Sequence, residues 1–203
     1  MAKVAQRSFR GFLEPSKTVF ILCDVQEKFR PVMKHFDQAI QTSNKLVKSA
    51  QALKIPLLCT EQNPAALGHT VSDIDTSHAA AIISKTTFSM LTPELKNKID
   101  ELGGSKIDSI VIFGLETHIC VEQSVMDFTE QGYQVHVVAD ATISRSQEDR
   151  MLALERMRNM GAIITTSENV IFKLVKDASK PEFKSILGLV KVPSPETGLV
   201  SKI

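Results

Sequence analysis

The chain has 203 residues, of which 43% are hydrophobic, and its 24 Lys and Arg nearly balance 23 Asp and Glu, for a formal net charge of +1. This size and composition predict one globular domain with a core on both sides of a sheet. Interspersed acids and bases argue against a nucleic-acid partner and favour a small neutral or weakly charged ligand. No apolar run approaches the roughly 20 residues that span a membrane, and segment 1–10 lacks the apolar core of a secretory signal. We therefore expect a cytoplasmic protein with no membrane partner.

The chain contains three cysteines, Cys23, Cys59 and Cys120. An odd number, without a Cys-x-x-Cys pair or any metal-ligand spacing, argues against a disulfide framework and against a zinc site. We therefore expect reduced thiols and neither a cofactor nor a bound metal.

Apolar strands and amphipathic helices alternate along the chain, which we divide into an N-terminal arm (1–17), one domain (18–190) and a C-terminal tail (191–203). Short apolar runs predict strands at Thr18–Asp24, Ile55–Thr60, Ala79–Ser84, Ile110–Phe113, Gln134–Asp140 and Ala162–Thr165. Helical spacing with caps and terminal glycines predicts helices at Ala39–Lys54, 92–102, 120–132, 146–161, Glu168–Lys176 and Lys180–Val190.

Three of the predicted strands end at or lead into a charged side chain. Asp140 ends the fifth strand, where the pattern places it at the ligand-facing edge, although it could simply cap the loop that follows. Asp24 follows five apolar residues, as expected at the ligand-facing edge of a parallel sheet, although it could instead cap the next turn. Lys85 follows the third strand and opens an edge segment that runs to Met90, although a surface lysine would give the same pattern. The loop Glu61–Thr70 is polar and punctuated by Pro and Gly, and we expect it at the same edge, where loops carry substrate contacts.

Cys120 lies where the fourth strand passes into a helix. The apolar run Ile110–Phe113 is broken by Gly114, and the following helical pattern ends at Gly132. Unpaired N–H groups and the helix dipole favour negative charge at this junction, and so favour a reactive thiolate. A buried structural thiol is the alternative, because that is the commonest fate of a free cysteine.

Six rounds of strand and helix predict a three-layer α/β/α fold, a parallel sheet covered by helices on both faces. Right-handed crossovers with one reversal of direction would place the first and fourth strands side by side. Asp24 would then meet the loop that leads to Cys120, with Lys85 at the same edge. A base, a thiol and an ammonium in one pocket form an activated nucleophile that suits acyl transfer.

Three sequence blocks, in order and spacing, resemble the catalytic blocks of the isochorismatase-like cysteine hydrolases, which include nicotinamidases and N-carbamoylsarcosine amidohydrolase. The blocks are Asp24-Val-Gln-Glu-Lys-Phe29, Lys85-Thr-Thr-Phe-Ser89 and Gly114-Leu-Glu-Thr-His-Ile-Cys120-Val121. The resemblance covers nearly the whole domain and looks closest to the eukaryotic isochorismatase domain-containing proteins. The segments that resemble these proteins are Val135-His-Val-Val-Ala-Asp-Ala141, Ser144-Arg-Ser146, Thr166-Ser-Glu168 and Pro195-Glu-Thr-Gly-Leu199.

The resemblance implies a six-stranded parallel sheet and a catalytic triad of Asp24, Lys85 and Cys120. Cys120 would attack an amide-like or carbamoyl carbonyl of a small-molecule substrate, and water would hydrolyse the resulting thioester. The N–H groups of Glu116 and Cys120 would form the oxyanion hole, with a cis Leu115–Glu116 peptide turning the Glu116 N–H towards the substrate. Members of this family commonly form homo-oligomers, so we expect a homo-oligomer here.

Two departures from the family pattern narrow the prediction. Nicotinamidases carry an Asp-x-His and a further His for a metal after the second strand, whereas segment 61–69 offers only His69, so we expect no metal site. True isochorismatases cleave a vinyl ether without needing the cysteine, so Cys120 favours acyl transfer. The candidates for the substrate pocket, which ordinary loop packing explains about as well, are Phe29, Gln62, Asn63, Leu67, Phe88, Met90 and His118.

The sequence alone leaves two other functions and a second location open. The fold could serve as an interaction or regulatory module whose triad does not turn over. Alternatively, Cys120 could be a redox sensor, for which Cys59 is the only other thiol expected at the edge. Ser201-Lys202-Ile203 is one residue away from the Ser-Lys-Leu peroxisomal address, which makes the peroxisome the second location after the cytoplasm.

Overall fold

A computed structural model of the protein describes residues 11–103 and 106–199. Its strands are β1 (Thr18–Cys23), β2 (Leu57–Gln62), β3 (Ala81–Lys85), β4 (Ser109–Leu115), β5 (Gln134–Ile143) and β6 (Ile163–Thr165). They form one sheet in the order β3-β2-β1-β4-β5-β6, and every neighbouring pair is parallel. The predicted six-stranded parallel sheet is confirmed.

The helices cover both faces of this sheet. They are α1 (Phe36–Ala52), α2 (Pro64–Leu67), α3 (Pro93–Leu102), α4 (Glu122–Glu130), α5 (Gln147–Asn159), α6 (Ser167–Val175) and α7 (Phe183–Val190). Helices α1, α6 and α7 pack on one face and α3, α4 and α5 on the other, which completes the predicted three-layer fold. Within the described ranges, no helix is both long and apolar enough to cross a membrane.

After their first residue, the central strands β1 and β4 contain no polar or charged side chain other than the Cys23 thiol, because both faces of the sheet are covered. All six residues of β1 are buried. Phe20 and Leu22 belong to the core under α1, α6 and α7, whereas Val19 and Ile21 belong to the core under α3, α4 and α5. This alternation fixes which face each β1 side chain joins.

Several strand ends differ from the prediction, and two of these differences bear on the site. β3 includes Lys85, and β5 continues past Asp140 to Ile143. A register shift opposite the end of β4 accommodates the additional β5 residues. Asp140 is therefore not a strand-end ligand residue; its carboxylate accepts hydrogen bonds from the main-chain N–H and the hydroxyl of Ser167, at the start of α6.

The described parts of the arm and the tail lie against the domain. Leu13 of the arm is buried in the core, and Nζ of Lys45 donates a hydrogen bond to the Val192 carbonyl of the tail at 3.1 Å. The tripeptide Ser201-Lys202-Ile203 lies outside the described residues, so the peroxisomal location stays a prediction, as do the domain bounds.

Candidate functional site

β1 and β4 lie side by side where the strand order reverses. In open parallel sheets, ligands bind at such a switch point, beyond the carboxyl ends of the strands. Cys23, the last residue of β1, pairs with Gly114, so Asp24 leaves the sheet next to the segment that carries Cys120. Asp24 has a φ of 48°, a conformation that is uncommon for a non-glycine residue and concentrates at functional sites.

Cys120 lies in a π-helical turn, Thr117–Val121, that runs directly into α4. π-Helical turns are rare and are found frequently at functional sites. The Ser124 hydroxyl donates a hydrogen bond to the Cys120 carbonyl at 2.5 Å and accepts one from the Met90 N–H at 2.8 Å. These bonds attach the loop after β3 to the turn that carries the thiol.

Asp24 and Lys85 form a buried ion pair. Nζ of Lys85 lies 2.7 Å from Oδ2 of Asp24, and their side chains are 0% and 1% exposed. The other carboxylate oxygen accepts a hydrogen bond from the Thr60 hydroxyl at 2.7 Å. Nζ also donates to Oε1 of Gln62 at 2.7 Å and to two carbonyls of the loop after β3. Such additional hydrogen bonds offset the desolvation of a buried pair.

Lys85 is held in its charged form by its surroundings. Burial opposes the charge, but the negative charge of Asp24 and its hydrogen bond to Nζ, together with Cys23 and Cys120 when they are ionised, outweigh it and raise the pKa of Lys85. Lys85 is therefore an ammonium at neutral pH, and its positive charge can stabilise a thiolate at Cys120.

Cys23 is the thiol beside Cys120. Burial, the neighbouring Cys120 and the charge of Asp24 raise the pKa of Cys23 well above its ordinary value. Its Sγ donates a hydrogen bond to the Leu115 carbonyl at 3.0 Å. The expectation that Cys59 is the neighbouring thiol is wrong: Cys59 pairs with the β1 residue before Cys23 and joins the core on the opposite face of the sheet.

Glu116 departs from the expected geometry in one respect. No peptide bond of the described residues is cis, so the Leu115–Glu116 bond is trans and the cis expectation is wrong. No main-chain carbonyl in the described ranges accepts a hydrogen bond from the Glu116 N–H, which leaves it available to a substrate oxygen. The Glu116 carboxylate is buried and accepts hydrogen bonds from N and Nε of Arg145.

Three of the predicted pocket residues lie at Lys85. Gln62 accepts a hydrogen bond from Nζ, the Asn63 N–H donates to the Lys85 carbonyl at 2.8 Å, and the Phe88 carbonyl accepts from Nζ at 3.1 Å. The Phe88 side chain is 52% exposed and is apolar. These residues can line an approach to the ion pair.

The other predicted pocket residues have structural contacts of their own. Met90 is completely buried in the core that includes Cys120. Phe29 packs partly buried against the core on the α1 face, and Leu67 ends the short helix α2. Nδ1 of His118 lies 2.9 Å from the hydroxyl oxygen of Ser144, the residue that follows β5.

Sequence reasoning missed Gln26, Thr60 and Ser124, and it placed Cys23 only as a strand residue. Gln26 is completely buried, and its side-chain amide exchanges two hydrogen bonds with the main chain of Gln62. The sequence contained a signal for two of these residues, Gln26 and Ser124. Gln26 lies within the first catalytic block, and Ser124 lies one helical turn after Cys120.

His69, the single histidine of segment 61–70, is paired with Glu61. Nδ1 of His69 lies 2.9 Å from the Glu61 carboxylate, which also accepts hydrogen bonds from N and Oγ1 of Thr70. Burial opposes the charge of Glu61, but these hydrogen bonds outweigh it and lower its pKa. The described part of the chain contains no group of three or more His, Cys, Asp or Glu side chains that could hold a metal ion.

The chain is similar to known proteins over most of its length. A family model described as the isochorismatase domain matches residues 18–169. Isochorismatase domain-containing protein 1 of Danio rerio is 47% identical over 193 residues, which cover 95% of this chain and 68% of that protein. Isochorismatase domain-containing protein 2A of Mus musculus is 43% identical over 197 residues, which cover 97% of this chain and 94% of that protein.

A solved structure is similar in both fold and sequence. The structure of MAR1 ribonuclease from Caenorhabditis elegans superposes with a TM-score of 0.88 at 40% identity. The matched region covers 95% of this chain and 100% of the ribonuclease chain.

Proposed function

Because the chain belongs to the isochorismatase domain family, as its sequence blocks predicted, we propose that it is a cysteine hydrolase of a small amide-like or carbamoyl substrate. The reaction breaks a C–N bond through a thioester on Cys120, with Asp24 and Lys85 completing the catalytic triad. One observation carries the proposal: the buried contact between Asp24 and Lys85, at the end of the strand that pairs with the segment leading to Cys120.

In the proposed first half-reaction, Asp24 takes the proton of the Cys120 thiol, and Lys85 stabilises the thiolate. The thiolate attacks the carbonyl carbon, and the negative charge moves to the carbonyl oxygen, which accepts hydrogen bonds from the Glu116 and Cys120 N–H groups. The tetrahedral intermediate expels the amine, which receives the proton that Asp24 held.

In the second half-reaction, Asp24 takes a proton from water as the water oxygen attacks the thioester carbon. The intermediate collapses, and the sulfur leaves and recovers the proton. The products are the amine and the acid, so one water is consumed in each cycle. Gln62 and Phe88 beside Lys85 are the proposed polar and apolar selectors of the substrate.

The test is turnover on a panel of small amides and carbamoyl compounds by the parent protein, Cys120→Ala and Asp24→Asn. We expect hydrolysis by the parent and a loss of about 10³-fold or more in Cys120→Ala, because the nucleophile is absent. An RNA oligonucleotide belongs in the panel, since one structural relative is called a ribonuclease. Equal activity of the parent and Cys120→Ala would refute the mechanism, and no turnover of any amide would favour the interaction or regulatory module.

We also propose that the protein forms a homo-oligomer in the cytoplasm, with the peroxisome as the second location. Light scattering after size-exclusion chromatography measures the mass of the assembly directly. A fluorescent fusion that leaves the C-terminus free, with and without Ser201-Lys202-Ile203, tests the location.

A further inference from the structure

We propose that a small cleft beside the Cys120 segment binds the carboxylate or phosphate group of a small molecule. The cleft has a volume of about 230 Å³ and lies between the connection that leads into α1, the connection from β5 to α5, and the tail. Lys34, His35, Arg145, Arg150 and Gly198 contribute to its lining. The inference does not require turnover at Cys120.

The lining of the cleft is basic. Lys34, Arg145 and Arg150 are cationic, and the lining includes no Asp or Glu. The Arg145 side chain is 58% exposed, and Glu116 engages its Nε. Its two terminal nitrogens make no hydrogen bond with any residue in the described ranges, so their donors remain available for bidentate recognition of an anion.

Arg150 gives the strongest indication of a missing partner. The residue is 1% exposed, and its two terminal nitrogens donate to the carbonyls of Thr197 and Ala139. Nε is buried and has no hydrogen-bond partner among the described residues. Buried polar groups are nearly always paired, so an unpaired N–H at a cleft indicates a position for an acceptor.

The charge of Arg150 is also incompletely neutralised. Burial lowers the pKa of Arg150 to about 10, and Asp140 is the acid whose attraction opposes that shift. The two oxygens of Asp140 already accept hydrogen bonds from Ser167. A buried cation without a dedicated counter-ion is costly, and an anion in the cleft would offset that cost.

The start of α5 adds to the positive potential. Ser146 caps this 13-residue helix, and Gln147 in its first turn lines the cleft. The N-terminal end of a helix carries partial positive charge and favours anions. The first turn also carries Glu148 and Asp149, but neither acid lines the cleft, whereas three side-chain cations do.

The cleft lies at the same sheet edge as the candidate active site. Ile143, which lines the cleft, pairs with Leu115 in β4, and Leu115 follows the partner of Cys23. At about 4.8 Å between neighbouring strands, the end of β5 lies roughly 10 Å across the edge from Asp24. An anionic group in the cleft could thus belong to the molecule that reaches Cys120, or to a separate small anion.

Binding is tested by following the amide resonances of the protein by NMR during titration with inorganic phosphate and with acetate. The parent is compared with Arg145→Gln and Lys34→Gln. The control is Arg158→Gln, which changes an exposed residue in the last turn of α5. We expect at least one of these anions to bind the parent, with shifts around residues 143–147, and an affinity loss of at least tenfold in Arg145→Gln. No binding by the parent, or equal losses in Arg145→Gln and Arg158→Gln, would overturn the inference.

Labelling Cys120 with iodoacetate and with neutral iodoacetamide distinguishes an anionic group of the molecule that reaches Cys120 from a separate small anion. If the group belongs to a molecule that reaches Cys120, Arg145→Gln lowers the ratio of the iodoacetate rate to the iodoacetamide rate, and phosphate slows iodoacetate in the parent. If the anion is separate, that ratio is unchanged while Arg145→Gln still loses phosphate binding.

Discussion

Nζ of Lys85 lies 2.7 Å from Oδ2 of Asp24, although β2 separates the strands that carry the two residues. Neighbouring strands are about 4.8 Å apart, so the two side chains together bridge roughly 10 Å of the sheet edge. Gln62, at the end of the intervening strand, accepts a hydrogen bond from the same ammonium. The pair thus gathers three strand ends into one buried site.

Removing one partner of this pair should destabilise the fold strongly. We expect Lys85→Met to lower the free energy of unfolding by about 3–5 kcal/mol, because the Asp24 carboxylate is left buried without its counter-charge. Urea denaturation measures the loss. Lys96→Met, which breaks the exposed pair with Asp100, should cost less than about 0.5 kcal/mol. Similar losses in the two variants would contradict the buried character of the Asp24 pair.

Cys120 should be the first thiol to react with iodoacetamide near neutral pH. Burial raises the pKa of Cys59 to about 12, and burial with the neighbouring Cys120 raises that of Cys23, so both remain protonated thiols. Asp24→Asn should slow the reaction at Cys120 by about 10²-fold, because the base is lost. Peptide mass mapping follows each site, and the unlabelled state of Cys59 shows that the variant is still folded. Equal labelling of all three thiols would contradict a nucleophilic Cys120.

Mild peroxide should link Cys23 to Cys120 and leave Cys59 free. Peroxide oxidises the Cys120 thiol to a sulfenic acid and forms water; the Cys23 sulfur then attacks the Cys120 sulfur, which forms the disulfide and releases a second water. Intact mass should fall by two hydrogens and recover with a thiol reductant. Cys23→Ser should abolish this change, whereas Cys59→Ser should not. A disulfide that includes Cys59 would overturn the assignment.

Gly114 should not tolerate a side chain. Its φ is +122°, and a Cβ there would lie 2.1 Å from the Cys23 carbonyl oxygen in the adjacent strand. We expect Gly114→Ala to cost more than about 4 kcal/mol, because two backbones would have to move apart. Gly132→Ala, with φ +86° and no atom within 4 Å of the new Cβ, should cost only about 1–2 kcal/mol. Thermal or urea unfolding compares them, and equal costs would rule out the proposed clash.

Acid should destabilise the protein in part through His136. Burial, with a smaller contribution from Lys173, lowers the pKa of His136 to about 4 from 6.5, and its Nε2 lies 2.7 Å from the Gln134 amide nitrogen. Above pH 6.5 the neutral His136 ring makes its full contribution to the free energy of unfolding. It declines as pH falls towards 4, because the unfolded chain then binds the proton more strongly. The loss reaches about 3 kcal/mol.

The measurement is the free energy of unfolding of the parent and of His136→Gln between pH 7 and pH 4. The variant should show a shallower decline, whatever its stability at pH 7. Parallel curves for the two proteins would show that His136 carries no proton linkage.

Apolar runs and helical spacing predicted the six strands and their alternation with helices, because a sheet buried on both faces requires largely apolar strands. The family was predicted by the resemblance of the three sequence blocks. Strand ends were harder to locate from the sequence. β5 runs on to Ile143 because its pairing with β4 shifts register, and no local pattern encodes that shift. Asp140 therefore has a different role from the one its position suggested.

The sequence by itself determined that Asp24, Lys85 and Cys120 lie at or beyond strand ends, since each comes after an apolar run that one-dimensional spacing identifies. Only the tertiary structure decided which groups touch. It placed Cys23 rather than Cys59 beside Cys120, and it left Nε of Arg150 unpaired at a basic cleft. The physical reason is that the face of a side chain depends on strand register, and the pairing of a buried charge depends on segments far apart in the chain.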